Sequence, residues 1–437
     1  MILQNAITNL VSFLDNIMVG QLGTEQMSGV AIVNQLIFVY NLAIFGAVSA
    51  ASIFGAQYFG KGNHKGHMYS FRFKLYATLL VTGGAILLFL TKGSALISLY
   101  LTDTVGNGAT DLALQYGLEY LAIMMVGLIP FAVNQSYATN IKETGQTFIP
   151  MLASFVAVGT NAILDYLMIF GIGPFPELGV QGAALATVIA RYIEALIVVI
   201  WAHIHRGKNR YLEGAYTGFG IPLAELKAIL IKGFPLMMNE VLWAAGMTTV
   251  TQCYSVRGLD VVAGLNIAST ITNLFNIVYL QLGSCISIVV GQYLGAGKLE
   301  DAKDADNKMI VFSVFCCVIM AALMFVVGGF FPGIYNTTEE IRELATSFIA
   351  VSAIIMPFCA FSHASYFTLR SGGKTVVTFL FDSVFTWVIV VPAAYLLAHF
   401  TGLGIVSIYF LVQGTELIKV IIGYLMVKSN VWVVQMV

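Results

Sequence analysis

Residues 23–62 of the chain return, without a gap, as residues 258–297. Gly23, Gly29, Ile32, Asn41, Ser49, Ser52, Ile53, Gln57, Tyr58, Gly60 and Gly62 recur as Gly258, Gly264, Ile267, Asn276, Ser284, Ser287, Ile288, Gln292, Tyr293, Gly295 and Gly297, eleven identities in forty positions. Each stretch closes on the same block, Gln-Tyr-x-Gly-x-Gly. Later landmarks pair as well: Pro130-Phe131 with Pro357-Phe358, and Gly145 and Thr147 with Gly373 and Thr375. A period this long is a duplicated domain, since solenoid units run to about 20–50 residues. The fold must therefore be two halves built alike, with something handled between them.

The solvent of those halves follows from composition. The chain is 58% hydrophobic and 10% charged, with a mean hydropathy of +0.86, whereas a soluble domain carries about 25% charge. The excess runs through all 437 residues, so it is not one anchor on a soluble body. No basic region precedes the first apolar segment, so no cleavable signal is expected. A net charge of -1 excludes nucleic acid and other polyanions as general partners. Cys253, Cys285, Cys316, Cys317 and Cys359 sit in apolar runs, with neither a disulfide framework nor metal-ligand spacing. No P-loop, zinc-binding helix or Ser/His/Asp set occurs, and Gly60-x-Gly62 follows an apolar span, not the strand a nucleotide fingerprint needs.

A bilayer crossing takes about twenty apolar residues. About twelve such spans are expected: roughly 1–20, 29–59, 72–91, 113–139, 148–170, 179–202, 233–255, 262–293, 309–331, 344–369, 376–399 and 403–427. The loops that alternate between them carry seventeen Lys and Arg on one side against Lys92, Arg257 and Arg342 on the other. That asymmetry places both termini in the cytoplasm. Six spans per half is an even number, so the halves enter the membrane in the same direction, related by a pseudo-twofold axis along its normal. The expected fold is all-α and polytopic: an N-lobe over 1–205, a cytoplasmic linker over 206–232 and a C-lobe over 233–437.

Ionisable residues inside spans are costly and point to function. Arg191 with Glu194, and Glu416 with Lys419, are spaced to pair along one helix. Glu119 and Asp382 fall near span ends, and Arg191 reads as the only deep base. Asp15, Asp165 and Glu240 have no base within a turn. Asp15 and Asp165 come at similar depth in spans of the same direction, and both could face one polar cavity of the first half. Asn161, four residues before Asp165, adds an amide on the same face, and Asn239 adjoins Glu240. A carboxylate in low dielectric favours a bound proton, or Na+ held with oxygens such as those of Asn161 and Thr187, over a bare charge. An interhelical hydrogen bond is the plainer alternative. Pro130, Pro235 and Pro357 interrupt spans, and the repeat-equivalent Pro130 and Pro357 are candidate hinges as well as candidate structural kinks. His363 reads as a hydrogen-bonded core imidazole. Thirty Phe, twenty Tyr and seventeen Met suit an adaptable apolar cavity, though also plain lipid-facing packing.

Two six-span halves, Asp15-Asn16 in the first span, Gln-Tyr-x-Gly-x-Gly after the second and eighth, and Gly179-Val-x-Gly-Ala-Ala-x-Ala-Thr187 in the sixth resemble the multidrug and toxic compound extrusion (MATE) family, in particular its bacterial NorM- and DinF-like members. The resemblance covers essentially the whole chain and says nothing of substrate. It implies a V-shaped pair of bundles in the inner (plasma) membrane that exports organic cations, amphiphilic drugs or metabolites in exchange for H+ or Na+. A monomer in contact with lipid, with no cofactor and no enzymatic activity, is the matching expectation. By position, Asp15, Asn161, Asp165 and Thr187 match the family's N-lobe cation site, and Glu240 matches the seventh-helix glutamate of NorM-type members. Around Cys359 to His363 the tenth-helix acid of those members is missing, which weakens a C-lobe Na+ site. Met1 aligns with Leu236, just past Pro235, so residues ahead of Met1 are expected. The rival transport reading is a flippase for lipid or polysaccharide precursors. An intramembrane enzyme using Asp15 and Asp165 as a dyad would need a companion motif that the sequence lacks.

Overall fold

The computed structural model describes residues 18–101, 109–218, 220–335 and 337–437. Asp15 and nearly all of the first expected span lie outside them. The described residues form helices and no strand: α1 (Thr24–Lys61), α2 (His64–Ser98), α3 (Ala109–Val126), α4 (Leu128–Glu143), α5 (Phe148–Ile169), α6 (Val180–Ile204), α7 (Leu223–Ser255), α8 (Leu259–Gly295), α9 (Leu299–Gly328), α10 (Glu339–Ser371), α11 (Thr375–Phe400) and α12 (Ile405–Lys428). Ten of these are long and apolar enough to cross a membrane, and α3 with α4, bent by 43° at Gly127, would make an eleventh span. Large apolar side chains such as Leu80, Leu90, Phe315 and Leu425 point outward. Lipid is the solvent such faces require, and helices are the structure that leaves no backbone group unbonded in it. The chain is a multi-pass membrane protein.

The helices gather into two compact units. Of the described residues, one comprises those from 18 to 55 with His64–Leu226, the other Ala56–Asn63 with Lys227–Val437. In the first, Tyr40 Oη donates to the Leu128 carbonyl at 3.0 Å, tying α1 to the break between α3 and α4. Pro130 falls in the first turn of α4, where a missing N–H costs least. The stretch after α6 is held to this unit. Arg72 donates to the carbonyls of Ala215 at 2.9 Å, Gly220 at 2.7 Å and Gly214 at 2.6 Å. Tyr211 is buried against Phe71 and His67, and burial keeps its phenol well above its ordinary pKa.

The second unit explains the repeated block. A Cβ on Gly60 would run into the backbone of Gln292, and a Cβ on Gly295 into that of Gln57. The two glycines let two helix ends cross in reciprocal contact. The last glycine of each block does a different job. Gly62 (φ +74°) and Gly297 (φ +73°) take the left-handed conformation after their helices. Asn63 N then donates to Tyr58 O at 2.9 Å and Lys298 N to Tyr293 O at 3.0 Å, closing each end as a Schellman cap. Gly145 (φ +79°) and Gly373 (φ +69°) cap α4 and α10 in the same way.

The Gln57 side chain is itself fully engaged. Its Nε2 donates to Ser371 O at 2.9 Å and Val434 O at 3.3 Å, and its Oε1 accepts from Met436 N at 2.8 Å. Beside it Gln435 Nε2 donates to Gly295 O at 3.0 Å, and Trp432 is 1% exposed.

Gly295→Leu is expected to abolish monodisperse protein in detergent, because backbone stands where the side chain must go. Gly62→Ala is expected to cost only about 1–2 kcal/mol for a non-glycine residue in the left-handed region. Size-exclusion chromatography with thermal unfolding of both variants checks the pair.

Candidate functional site

In the first unit α5 and α6 lie side by side because Gly182 has no Cβ. One built there would stand 2.6 Å from the Met168 carbonyl oxygen. This glycine is the second of the Gly-Val-x-Gly-Ala-Ala segment. On α5, Asp165 is 0% exposed and Asn161 is also buried. Asn161 Nδ2 donates to Asp165 Oδ2 at 2.8 Å, across one helical turn. Thr187 is partly buried on α6, and no hydrogen bond of its hydroxyl is found among the described residues. Asp15 is not among those residues, so its distance to Asp165 is not described.

Arg191 and Glu194 do not pair as expected. Arg191 Nη1 reaches the Gly127 carbonyl at 3.4 Å and its guanidinium lies 5.1 Å from the Phe131 ring centre. Glu194 accepts a hydrogen bond from Ser154 Oγ. Arg191 thus props the broken span, using a carbonyl beside the 43° bend. Nor is Arg191 the only deep base. Lys74 on α2 is 0% exposed, donating to Glu143 Oε1 at 2.5 Å and to Asn140, with His67 Nε2 3.3 Å from Glu143 Oε2. Gly55 leaves the room that Glu143 occupies.

In the second unit the polar centre is Asn239, 2% exposed on α7. Its Nδ2 donates to Asp382 Oδ2 at 2.9 Å and lies 3.4 Å from Tyr366 Oη. Its Oδ1 accepts from Ser383 Oγ at 2.8 Å and Ser383 N at 3.2 Å. Asp382 also takes a 2.9 Å ion pair from Lys419 on α12. Lys419 therefore does not pair with Glu416, whose Oε1 is buried without a hydrogen bond among the described residues. Asp382 meets these partners inside the protein; its side chain is 17% exposed and that of Lys419 8%. The Lys419 ammonium also lies 5.6 and 5.7 Å from the ring centres of Phe381 and Phe385. Asp382 and Ser383 are presented by a widened stretch of α11, with π turns over Leu380–Val384 and Thr386–Val390. Such turns rotate side chains away from α-helical phase and recur at functional sites.

Glu240 follows Asn239 but stands outside this network. It is partly buried, with no hydrogen bond or ion pair among the described residues. Arg370 and Asp382 are the charges whose field it feels. His363 Nδ1 is 2.9 Å from the Cys359 carbonyl, as expected of a core imidazole. Pro357 sits within an unbroken α10 and Pro235 within an unbroken α7.

Known proteins resemble the chain throughout. The family model MatE matches residues 1–167 and 235–396. A probable multidrug resistance protein NorM of Thermotoga maritima is 23% identical over 406 residues, covering 92% of this chain and 85% of that protein. The fold is similar to a solved outward-facing multidrug resistance MATE family transporter of the MOP superfamily, with a TM-score of 0.88 at 19% identity over 98% of this chain and 93% of that one. A MOP superfamily transporter from Pyrococcus furiosus, described by the reverse polarity of its binding pocket, gives a TM-score of 0.88 at 20% identity, again over 98% and 93% of the two chains.

Removing one member of the Asp382–Lys419 pair leaves the other as an uncompensated buried charge. Lys419→Met alone is expected to lower stability by about 3–5 kcal/mol. The double variant Lys419→Met with Asp382→Asn should recover most of that loss in thermal unfolding of the purified protein.

Proposed function

Since the chain belongs to the MatE family, whose members are transporters and not enzymes, we propose that it is a secondary active antiporter. It exports organic cations or amphiphilic drugs and metabolites, and it takes up H+ or Na+ in return. The relatives' own description as multidrug resistance proteins supports that substrate class. In this reading both termini are cytoplasmic, the protein works as a monomer in the inner (plasma) membrane among its lipids, and residues 1–205 and 233–437 are lobes that rock about the 206–232 linker.

The observation that carries the coupling assignment is Asp165, a fully buried carboxylate with the Asn161 amide bonded to it. The amide orients one carboxylate oxygen, so a proton or Na+ arriving there meets a prepared acceptor. Asp15 and Thr187 complete this N-lobe site, while the C-lobe polar site centres on Asn239 with Asp382, and Glu240 stands next to it in the chain but outside its hydrogen bonds. Antiport requires the ion to bind one conformation more tightly than the other, so that its arrival favours substrate release. Pro130, beside the bend at Gly127, and Pro357 serve as hinges in this scheme.

A flippase for lipid-linked precursors is the second reading. Such substrates carry phosphate and call for free deep bases. Lys74 and Lys419 are each neutralised by a carboxylate, which leaves Arg191, set against a carbonyl and a ring, as the base such a substrate would have to use.

Efflux of ethidium from cells expressing the chain tests the proposal, with the Na+ and H+ gradients collapsed separately. Asp165→Asn should abolish efflux while the protein keeps its elution profile and amount in the membrane, and one of the two gradients should prove necessary. Efflux by Asp165→Asn at the wild-type rate would remove the N-lobe assignment. No efflux from well-expressed wild-type protein would shift weight to the lipid precursor.

A further inference from the structure

Asp306, on α9, belongs to none of the sites above. It is 0% exposed, and one turn to either side on the same face stand Ala302 and Ile310. Both belong to an apolar cluster that α8 and α10 complete with Ile286, Val290, Leu294 and Ala364. Among the described residues Asp306 has no ion pair and one hydrogen-bond partner, Thr368 of α10, whose Oγ1 is 2.5 Å from Asp306 Oδ1. Its Oδ2 has none.

The charged and titratable groups on the packed elements are engaged elsewhere. On α9 itself, Lys303 meets Glu300 at 2.8 Å and Lys308 meets Asp304 at 2.5 Å. On α10 the Arg370 guanidinium lies 5.5 Å from the Phe367 ring centre. On α8 the titratable group packed against the cluster is the phenol of Tyr293.

Counting hydrogens favours one state of this group. Thr368 Oγ1 is 2.5 Å from Asp306 Oδ1 and 3.0 Å from the Ala364 carbonyl oxygen. A hydroxyl has one hydrogen to donate. If Asp306 were ionised, both neighbours would be acceptors, one short contact would lack a hydrogen, and an unpaired charge would sit in an apolar cluster. If Asp306 carries a proton, its O–H donates to Thr368 Oγ1, and the threonine hydroxyl donates onward to Ala364 O. Both contacts are then hydrogen bonds and no charge is buried.

We infer that Asp306 is a proton-holding site of the second unit, with the proton shared along the line Asp306–Thr368–Ala364. The first unit handles the equivalent place differently. Thr368 stands five residues before Gly373 as Asn140 stands five before Gly145, and Asn140 shares Lys74 with Glu143. One unit buries an acid with its own base, and the other buries an acid with a proton. Releasing that proton would leave a bare carboxylate between α9 and α10, so it requires water to enter that contact. The inference concerns a residue apart from Asp165 and Glu240 and holds whatever the substrate.

Infrared difference spectra of purified wild type minus Asp306→Asn at pH 7, in H2O and D2O, test it directly. Asparagine keeps a donor for Thr368, so the variant should fold. The expected result is a protonated carboxylic acid C=O band, sensitive to D2O, that the variant loses. Loss of carboxylate bands, or no difference in the acid region, would overturn the inference. Should Asp306→Asn fail to fold, Thr368→Val removes the acceptor of the acid proton. The acid band must then shift in frequency, and an unchanged spectrum overturns the inference equally.

Discussion

Two helix ends meet where neither can carry a side chain, and much of the second unit is arranged around that contact. With Gly60 against Gln292 and Gly295 against Gln57, backbones approach to a distance that any Cβ would forbid. Close approach then brings the Gln57 side chain within reach of the Ser371 carbonyl and of residues 434 and 436. The recurrence of Gln-Tyr-x-Gly-x-Gly is thus a packing requirement met twice, once by each partner in one contact. The closing glycines add only the turn that follows.

Much of this could be read in advance because it obeys local rules. The duplication and the apolar spans are patterns of spacing, and the described helices follow them closely. The Asn161–Asp165 bond is likewise a one-turn relation. What escaped were the partnerships of charged residues across helices. Lys74 finds Glu143 and Lys419 finds Asp382 over sequence separations of 69 and 37 residues, and no short-range pattern announces either. Local pairing rules then named the wrong partners, Glu194 for Arg191 and Glu416 for Lys419. Both bases chose groups that α-helical neighbours could not offer: a carbonyl near a broken helix in one case, a carboxylate on a π-widened turn in the other. The break at Gly127 was also hidden, since glycine alone inside an apolar run does not announce a 43° bend.

Each unit, seen by itself, answers the same electrostatic problem with a local solution. A buried ion pair contributes little net stability, since desolvation offsets attraction. It does fix which helices lie together, because separating the partners is far more costly than exchanging both for apolar groups. Lys74–Glu143 fastens α2 to α4, and Lys419–Asp382 fastens α12 to α11. Asn239 extends the second pair to α7. Against this background Asp306 and Glu240 stand as carboxylates with no ion pair among the described residues.

The bonds of Gln57 also set an order of events during synthesis. Its Oε1 accepts from Met436 N, 379 residues further along the chain. The first half can insert and pack its own helices, yet residues 56–63 belong to a core whose last hydrogen-bonding groups have not been translated. Until then a glutamine amide that ends up buried has to be satisfied by water or by transient partners. The helix that begins in the first unit is therefore finished by residues made 379 positions later, and the completeness of its end reports that the second half has assembled.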